Sequence, residues 1–408
     1  SAGIVGSIFL GVRIFDAFTD PVMGVMADKT QSRWGRYRPY MLWMSVPYGI
    51  ATVLVFTSFD LSYVYSVVYA VVTYSFLMVA YTAINIPYSA LGGVMTSDPT
   101  ERVSIQSYRF SMAWVGGLIV ALFMVPMTEY LGFGDPALGY RRTMLILGTT
   151  AVAMFLICFA GTRERVLESP STSTDWRSNV GTLLKNDQLW LVCATQVLLL
   201  TGTAGRGTAT LYFAKDVLGL EGDTLLITAF ISIGLIGNIC GGIACGPFER
   251  HFDKATSVPK IQILVALFSL TTLIIPPSMT VAHFILSFVL GVLSALTVPM
   301  IWAMVADTID YGAHRSGHHL PGLTFSANLF AVKMGFALGG ASAGWILYAF
   351  SYDGKAEVQS AAALTGISVA FAILPALGCM LSLITLSKYR LDRNEVVRIA
   401  ASLKKDAP

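Results

Sequence analysis

The chain has 408 residues, of which 55% are hydrophobic and only 12% are charged, and its formal net charge is +3. Soluble domains carry about 25% charged residues, so this composition excludes an ordinary soluble domain and indicates an integral membrane protein. The small positive charge gives no indication of a nucleic-acid partner. The five cysteines all fall in apolar stretches, which favours buried side chains over a disulfide framework or a metal site.

Eleven apolar stretches are long enough to cross a bilayer as α-helices, each of which needs about 20 residues. The predicted spans are 4–27, 40–58, 64–93, 106–131, 142–161, 189–213, 224–246, 259–279, 281–306, 324–349 and 362–387. The short alternating segments that are typical of membrane β-strands are absent from the sequence. The predicted fold class is therefore an all-α membrane protein.

The distribution of Lys and Arg among the loops predicts the orientation of the spans. The loop 28–39 and the tail 388–408 are rich in both residues, whereas the loop 59–63 contains neither. Loops after odd-numbered spans and the C-terminus are thus predicted to be cytoplasmic, in a multi-pass protein of the cell (inner) membrane. Arg141 and Arg142, at an outer end, are the exception.

The longest polar loop separates five predicted spans from six. Large transporters are commonly built from two six-helix halves. We therefore predict an N-terminal bundle at 1–161, a cytoplasmic middle loop at 162–188, a C-terminal six-helix bundle at 189–387 and a cytoplasmic tail at 388–408. A missing first helix would complete the expected twelve and would also explain the predicted external N-terminus and the absence of an initiator Met.

The first predicted span contains three charged residues, Arg13, Asp16 and Asp20. A helix places the two carboxylates roughly 40° apart, with Arg13 on nearly the same face. Each charge costs about 2.5–3.5 kcal/mol at a helix centre, so we expect all three to face the protein interior or a water-filled cavity. Arg13 offsets one carboxylate, which leaves about one negative charge for a proton or a small monovalent cation. The alternative for Arg13 and Asp16 is an ion pair that only holds helices together.

The segment DAFTDPVMGVMADKTQSRWGRYRPY resembles the glycoside–pentoside–hexuronide:cation symporters, the melibiose-permease-like branch of the major facilitator superfamily. Further matches are YTAINIPYSALGGVMTSDPTERVSIQSYRF, KNDQLWLV, VADTIDYG and FSANLFAVKMGFALGGASAGW. The resemblance covers nearly the whole chain, and INIPYSALGG is closer to the glucuronide and xyloside branch. It implies the major facilitator fold, with the first span here as the family's helix 2.

By this resemblance, the cation-site oxygens fall on Asp16, Thr19, Asp20 and Thr82. Hydroxyl groups suit a metal ion, and Arg13 opposes the rise in carboxyl pKa that proton binding needs. The sequence therefore favours Na+ at Asp16 and Asp20 as the coupling ion, with H+ as the alternative. No other cofactor is expected, and the chain has no P-loop that would indicate ATP-driven transport.

The predicted substrate-binding residues are Asn85, Arg109, Arg206, Lys333, Tyr81 and Trp302. Arg109 and Lys333 correspond to the family's sugar-site Arg and inward-facing Lys, whereas Asn85 stands where melibiose-type members carry Asp. Arg206 lies between two glycines within a span, so it is interpreted as a ligand for a substrate carboxylate or hydroxyl, or as a structural partner of an acid. The aromatic side chains are expected to stack on a sugar ring, although packing is the alternative for any single one.

The loop after the first span resembles the superfamily's loop between helices 2 and 3 and is interpreted as a gate or conformational switch. The predicted gate residues are Asp28, Arg33, Arg36, Arg38, Asp307 and Asp310. In the second half, the segment GPFERHFDK resembles the same loop less closely and is interpreted in the same way. The segment HHLPG departs from the pattern of the glucuronide and xyloside branch. The alternative for the basic loop is simple positive-inside anchoring.

These observations predict a secondary transporter that uses Na+ or H+ to carry a small-molecule glycoside, such as a glucuronide or xyloside, across a lipid bilayer. Paired carboxylates also occur in glycosidases, but here they share one membrane helix, and no soluble domain would hold the sugar, so no enzyme is predicted. The alternatives are an uncoupled sugar facilitator or sensor, and a lipid or amphiphile transporter on the same scaffold. The sequence leaves the oligomeric state open.

Overall fold

A computed structural model shows an all-helical protein. It describes residues 19–60, 62–96, 98–165, 176–220, 222–354, 356 and 358–405. The predicted charged residues Arg13 and Asp16 lie outside the described residues.

Fifteen α-helices and two π-helical turns make up the part of the chain that the structure describes. The α-helices are α1 (19–29 in its described part), α2 (Arg38–Trp43), α3 (Ser45–Val55), α4 (Tyr63–Val94), α5 (Pro99–Gly132), α6 (Pro136–Gly161), α7 (Trp176–Leu184), α8 (Asp187–Tyr212), α9 (Thr224–His251), α10 (Lys254–Thr271), α11 (Thr280–Ser316), α12 (Pro321–Ala349), α13 (Ala361–Ser368), α14 (Leu374–Leu386) and α15 (Arg393–Lys405). The π-helical turns Phe213–Val217 and Val369–Ile373 continue α8 and join α13 to α14. The predicted spans from 40–58 to 362–387 each correspond to one helix or to consecutive helical segments, whereas only residues 19–27 of the span 4–27 are described.

Eight helical segments among the described residues are long and apolar enough to cross a membrane. They are α4, α5, α6, α8 with its π-helical turn, α9, α11, α12 and α13 through α14. Large apolar side chains on these helices are exposed, including Phe123, Ile157 and Leu225. Exposed apolar surface of this extent needs a lipid environment rather than water, so the protein is an integral multi-pass membrane protein.

Polar residues at the N-termini fix where several helices begin. The side chain of Asp135 accepts hydrogen bonds from the first backbone N–H groups of α6, and Pro136 follows it. Asn186 Oδ1 accepts from Leu189 N at 3.1 Å, and Ser360 Oγ accepts from Ala363 N at 3.1 Å. Such caps satisfy backbone donors that have no partner within their own helix.

Helix contacts divide the chain into two compact units. The first contains Ser1–Ser97, Ile119–Leu184 and Arg315–Phe330, and the second contains Asp98–Leu118, Lys185–His314 and Ala331–Pro408. Three of the boundaries fall within helices, namely α5, α11 and α12. These units group the segments differently from the two bundles expected from the sequence, and the bundles stay a prediction.

Glycines allow close helix crossings within each unit. In the first unit, a Cβ atom on Gly49 of α3 would lie 2.6 Å from the Val152 side chain of α6. In the second unit, a Cβ atom on Gly202 of α8 would lie 2.6 Å from Pro375 Cα in α14. Small residues at such crossings bring helix backbones into van der Waals contact, which stabilises membrane bundles.

The C-terminal tail forms a helix that packs on other helices of the second unit. Its buried core is Leu391, Val396 and Ile399, and partly buried aromatic residues pack against it. Arg393 Nη2 pairs with Glu249 Oε1 of α9 at 3.0 Å, and the Glu249 side chain is almost fully buried. The tail is therefore held by an apolar face together with one buried acid.

We expect Glu249→Gln to loosen α15, because Arg393 then loses its charged partner. Charge-assisted hydrogen bonds contribute about 1.5–3 kcal/mol, so tryptic cleavage at Arg393 and Arg398 should accelerate roughly tenfold. The matched control is Glu395→Gln, which removes an exposed pair with Arg398 on the same helix. Equal cleavage rates for the two variants would contradict an anchoring role for Glu249.

Candidate functional site

The predicted cation site is partly described by the structure. Asp20 in α1 is fully buried, and the Thr82 hydroxyl in α4 donates a hydrogen bond to Asp20 Oδ1 at 2.9 Å. Thr19 precedes Asp20 and is half-buried, and Asp16 lies outside the described residues. The structure thus joins the carboxylate and a hydroxyl from two helices, and oxygen donors of this kind suit hard cations.

Further predicted residues lie along α4 near Thr82. Asn85 is three positions beyond Thr82, so the two residues lie on neighbouring turns of one face, and Asn85 is half-buried. Ser89 lies one further turn along and is fully buried, whereas Tyr81 is 37% exposed. A polar strip of side chains therefore follows the helix away from the carboxylate of Asp20.

Asp28 joins α1 to the start of α12. Its carboxylate accepts hydrogen bonds from Tyr37 Oη at 2.6 Å, Gly322 N at 2.6 Å and Leu323 N at 3.0 Å. Two of these donors are backbone N–H groups in the first turn of α12, which have no acceptor within their own helix. A negative charge is favourable at this end of a helix. A Cβ atom on Gly24 would lie 2.7 Å from the Gly322 carbonyl oxygen, so the two helices touch here.

The predicted gate arginines occupy a loop that Glu164 organises. The carboxylate of Glu164 accepts backbone N–H groups of Arg36 at 2.9 Å, Tyr37 at 2.8 Å and Arg38 at 3.1 Å. The Arg38 guanidinium donates to the Phe159 carbonyl oxygen at 2.7 Å, at the end of α6. Sequence reasoning missed Glu164, because the sequence of a polar loop does not indicate which distant backbone N–H groups its side chains will bind.

The turn before this capped segment requires glycine. Gly35 has φ +107°, in the left-handed region, and a Cβ atom there would lie 2.6 Å from the Glu164 carboxyl carbon. The Arg33 guanidinium stacks on the Trp34 ring, 4.1 Å from its centroid. The loop is therefore a defined structure in which Arg33 and Arg38 have aromatic or backbone contacts.

We expect Asp28 to make stability pH-dependent. Burial raises its pKa to about 6, against hydrogen bonds from Tyr37, Gly322 and Leu323 that lower it. Because the folded-state pKa exceeds the usual value of 3.8, the folded state binds the proton more tightly, and the unfolding free energy falls as pH rises between these values. Across this pH interval, the contribution of Asp28 to the unfolding free energy falls by about 3 kcal/mol in total.

The measurement is the thermal unfolding midpoint of wild type and Asp28→Asn from pH 4.5 to 7.5. The unfolding midpoint of wild type, measured relative to that of Asp28→Asn, should fall as pH rises. The exposed Asp60→Asn serves as the matched control and should follow wild type. Parallel profiles for wild type and Asp28→Asn would show that this carboxyl does not titrate in the folded protein.

In the second unit, two predicted substrate residues lie together. The Arg109 guanidinium of α5 lies 4.6 Å from the ring centroid of Trp302 in α11 and donates to Gln106 Oε1 at 3.2 Å. Trp302 is buried and also contacts Phe110, with ring centroids 5.4 Å apart. The pair combines a charged hydrogen-bond donor with an aromatic face.

A buried ion cluster joins α5, α10 and α11 within the second unit. Its members are Arg102, Lys254, Asp307 and Asp310. Arg102 Nη1 lies 3.2 Å from Asp307 Oδ1 and 2.7 Å from Asp310 Oδ2. Lys254 Nζ lies 2.6 Å from Asp307 Oδ2. Two positive and two negative side chains offset one another, which buried charges require.

Several polar atoms around this cluster are buried without a hydrogen bond among the described residues. They include Tyr389 Oη, Asp253 Oδ1 and Glu249 Oε2. Burial and the nearby carboxylates of Asp307 and Asp253 raise the pKa of Tyr389 well above its usual range. Buried polar atoms of this kind normally bind internal water, so the region next to the ion cluster is a polar interior.

Sequence reasoning predicted the two aspartates of the ion cluster and placed Lys254 in the segment GPFERHFDK, which it interpreted as a gate element, but it missed Arg102. Arg102 counted only as a positive charge in a loop, and the sequence contains no local pattern that pairs either basic residue with Asp307. One signal is available for Arg102, which lies one turn into a helix that begins at Pro99. Its position at the start of a long apolar helix indicates a buried end rather than a solvated loop.

Arg206 and Lys333 lie on two other helices, α8 and α12. The Arg206 guanidinium of α8 stacks on Phe371, 3.9 Å from the ring centroid, and Nη1 lies 3.5 Å from the Phe371 carbonyl oxygen. Lys333, in α12, is half-buried. Sequence reasoning also missed Phe371, because an aromatic residue in an apolar span has no distinguishing local signal.

An all-helical membrane fold that carries buried acids and bases within its spans is typical of a membrane transporter. Residues 1–393 match the family described as MFS/sugar transport protein. The chain therefore belongs to this family, and the family resemblance identified in the sequence is confirmed.

Named relatives match along almost the whole chain. The inner membrane symporter YicJ of Escherichia coli (strain K12) is 37% identical over 388 residues, which cover 95% of this chain and 84% of YicJ. The isoprimeverose transporter of Lactiplantibacillus pentosus is 32% identical over 414 residues, covering 100% of this chain and 85% of that protein. The crystal structure of the Major Facilitator Superfamily transporter FucP in the outward conformation has a TM-score of 0.65 at 10% identity, covers 94% of this chain and 90% of FucP, and shares the fold.

Proposed function

We propose that the protein is a symporter that couples the entry of a glycoside to that of Na+ or H+ by alternating access. The names of two relatives support this proposal, since one is a symporter of the inner membrane and the other transports isoprimeverose. Both relatives match almost the full length of the chain, which spans 84% and 85% of their own lengths. We extend the proposal to eleven membrane spans, an inner-membrane location and a cytoplasmic C-terminus.

The observation that carries the proposal is the buried pair of Asp20 and Thr82. A carboxylate within a membrane helix costs about 2.5–3.5 kcal/mol on insertion scales, a cost that a bound cation offsets. The Thr82 hydroxyl at 2.9 Å holds the carboxylate in place and adds a second oxygen. With Asp16 and Thr19 from the same helix, this site would hold one Na+, and protonation of Asp20 is the alternative.

We assign the substrate contacts to the residues predicted from the sequence. The residues are Asn85, Arg109, Arg206, Lys333, Tyr81 and Trp302. Arg109 beside Trp302 offers what a sugar needs, because guanidinium N–H groups can donate to hydroxyls while an aromatic face stacks on the ring. A glucuronide or a xyloside would satisfy this set of donors and aromatic faces.

Two groups of contacts have the properties of gates. Asp28 bonds the first turn of α12, and Asp307 with Asp310 pairs with Arg102 and Lys254. Buried ion pairs and helix caps are discrete arrangements that are either made or broken, which alternating access requires. The basic loop residues Arg33, Arg36 and Arg38 would stabilise the first group.

The rival functions have less support from the described residues. An uncoupled facilitator or sensor would gain nothing from a fully buried carboxylate such as Asp20. A lipid or amphiphile transporter would not need the polar residues Asn85, Gln106 and Arg109 in its spans. Symport therefore accounts for more of the buried polar side chains.

The test is uptake of a glycoside panel by proteoliposomes containing the protein. One series replaces Na+ by choline at fixed pH, and a second collapses the proton gradient at fixed Na+. Accumulation that disappears in one series identifies the coupling ion. Uptake that reaches only equilibrium in every condition would overturn symport in favour of an uncoupled facilitator.

A further inference from the structure

Arg206 carries a charge that the described part of the protein does not neutralise. Within that part, its polar and ring contacts are the Phe371 ring at 3.9 Å and the Phe371 carbonyl oxygen at 3.5 Å. No carboxylate among the described residues pairs with it. A guanidinium inside a membrane helix without a counter-charge is costly, so a ligand that supplies the negative charge is expected.

The guanidinium rests on a rigid aromatic platform. Phe371 stacks on Phe213 with ring centroids 4.0 Å apart and an interplanar angle of 7°, and both rings are buried. The edge of His283 packs against Phe213 at 5.5 Å. The planar group therefore loses little freedom when it binds a ligand, because its position is already fixed.

The two phenylalanines belong to the two π-helical turns of the structure. Phe213 opens the turn Phe213–Val217, and Phe371 is central in Val369–Ile373. Isolated π-helical turns inside α-helices occur frequently at functional sites. Each π-helical turn contributes one ring to the stack on which the Arg206 guanidinium rests, so this arrangement is a specific structural feature.

The other side of Arg206 is less tightly packed than the side that rests on Phe371. Its side chain is only half-buried, and a Cβ atom on the neighbouring Gly207 would meet no atom within 4 Å. Thr203, one turn earlier, is exposed. The guanidinium is thus held through Phe371 on one side, while its remaining N–H groups have no acceptor in the described residues.

We propose that Arg206 binds one oxyanion, and that within the proposed symport this is the carboxylate of an acidic glycoside. A carboxylate matches the fork of guanidinium donors and can be bound by two parallel hydrogen bonds. The phosphate of an anionic lipid offers the same chemistry. The inference rests on the proposed function for the substrate, and the oxyanion site can be measured separately from transport.

The experiment compares phenyl β-D-glucuronide with phenyl β-D-glucoside, which differ only at the carboxylate carbon. Binding to the purified full chain is measured for wild type, Arg206→Gln and Arg206→Lys. We expect Arg206→Gln to weaken glucuronide binding about ten- to hundredfold and glucoside binding less than threefold, because only charged hydrogen bonds are lost. Arg206→Lys, which keeps the charge but not the fork, should give an intermediate loss.

A second arm identifies a lipid source. Wild type and Arg206→Gln are compared in nanodiscs of phosphatidylcholine with and without phosphatidylglycerol. If lipid phosphate binds at Arg206, phosphatidylglycerol raises the unfolding midpoint of wild type only, and glycoside selectivity is unchanged. Exposed Arg398→Gln is the matched control in both arms and should behave as wild type.

The proposal is overturned if Arg206→Gln changes neither the glucuronide-to-glucoside ratio nor the lipid response. In that case, ion-driven uptake of the neutral glycoside would leave the proposed symport intact. Conversely, a charge-selective response at Arg206 without any ion-driven uptake would support the oxyanion site and reject symport.

Discussion

Asp20→Asn should abolish accumulation of substrate against its gradient while exchange of substrate across the membrane persists. The substitution keeps the shape of the side chain and its capacity to accept the Thr82 hydrogen bond. It removes the charge that the coupling ion neutralises, so the ion no longer contributes to the transport cycle. The expected accumulation ratio falls to about one, which is the equilibrium value when no gradient is coupled.

The measurement is uptake and counterflow by the same proteoliposome preparation. Asp60→Asn is the matched control, because Asp60 is exposed and lies outside the predicted spans. Thr82→Val tests the hydroxyl separately and should weaken ion affinity without abolishing accumulation. Full accumulation by Asp20→Asn would show that another group carries the coupling ion.

Asp307→Asn should cause the largest loss of stability among single substitutions in the second unit. Asp307 bonds both Lys254 and Arg102, and all three side chains are buried. Removing one partner of a buried ion pair costs about 3–5 kcal/mol, because the remaining charge stays buried without compensation. The unfolding midpoint should fall by several degrees, and transport should fall with it if the cluster also serves as a gate.

A double substitution separates lost pairing from lost packing. Lys254→Met with Asp307→Leu removes both charges and keeps apolar volume, so it should destabilise less than the sum of the two single changes. Arg398→Ala, which breaks an exposed pair with Glu395, is the control and should change stability by less than about 1 kcal/mol. Additive losses in the double variant would contradict a paired, buried cluster.

The sequence predicted the all-helical membrane fold because long apolar runs dictate helices in a bilayer. It predicted neither the break between α2 and α3 nor the two π-helical turns. It also predicted residues 388–408 only as a tail, whereas the structure has α15 there, with a buried apolar cluster of Leu391, Val396 and Ile399. These features depend on contacts with other segments, which an apolar pattern along one segment does not record.

Parts of the candidate site were accessible from the sequence for a clear reason. A charge in an apolar span is rare, and so Asp20 and Arg206 were identified as candidate ligands, while Arg109 was identified through the family resemblance. Their partners were harder to predict. Glu164, Lys254 and Phe371 are ordinary residues for their local sequence, and only the fold brings them to Arg38, Asp307 and Arg206, respectively.

The most direct test of symport is cation movement driven by the glycoside itself. Proteoliposomes are prepared without any ion gradient, and the transported glycoside is added outside while internal Na+ and pH are followed. Symport predicts that the glycoside gradient drives Na+ inward, or acidifies the interior if H+ is coupled, and that Asp20→Asn does neither. Glycoside entry by wild type with no movement of either ion would contradict symport and identify an uncoupled facilitator.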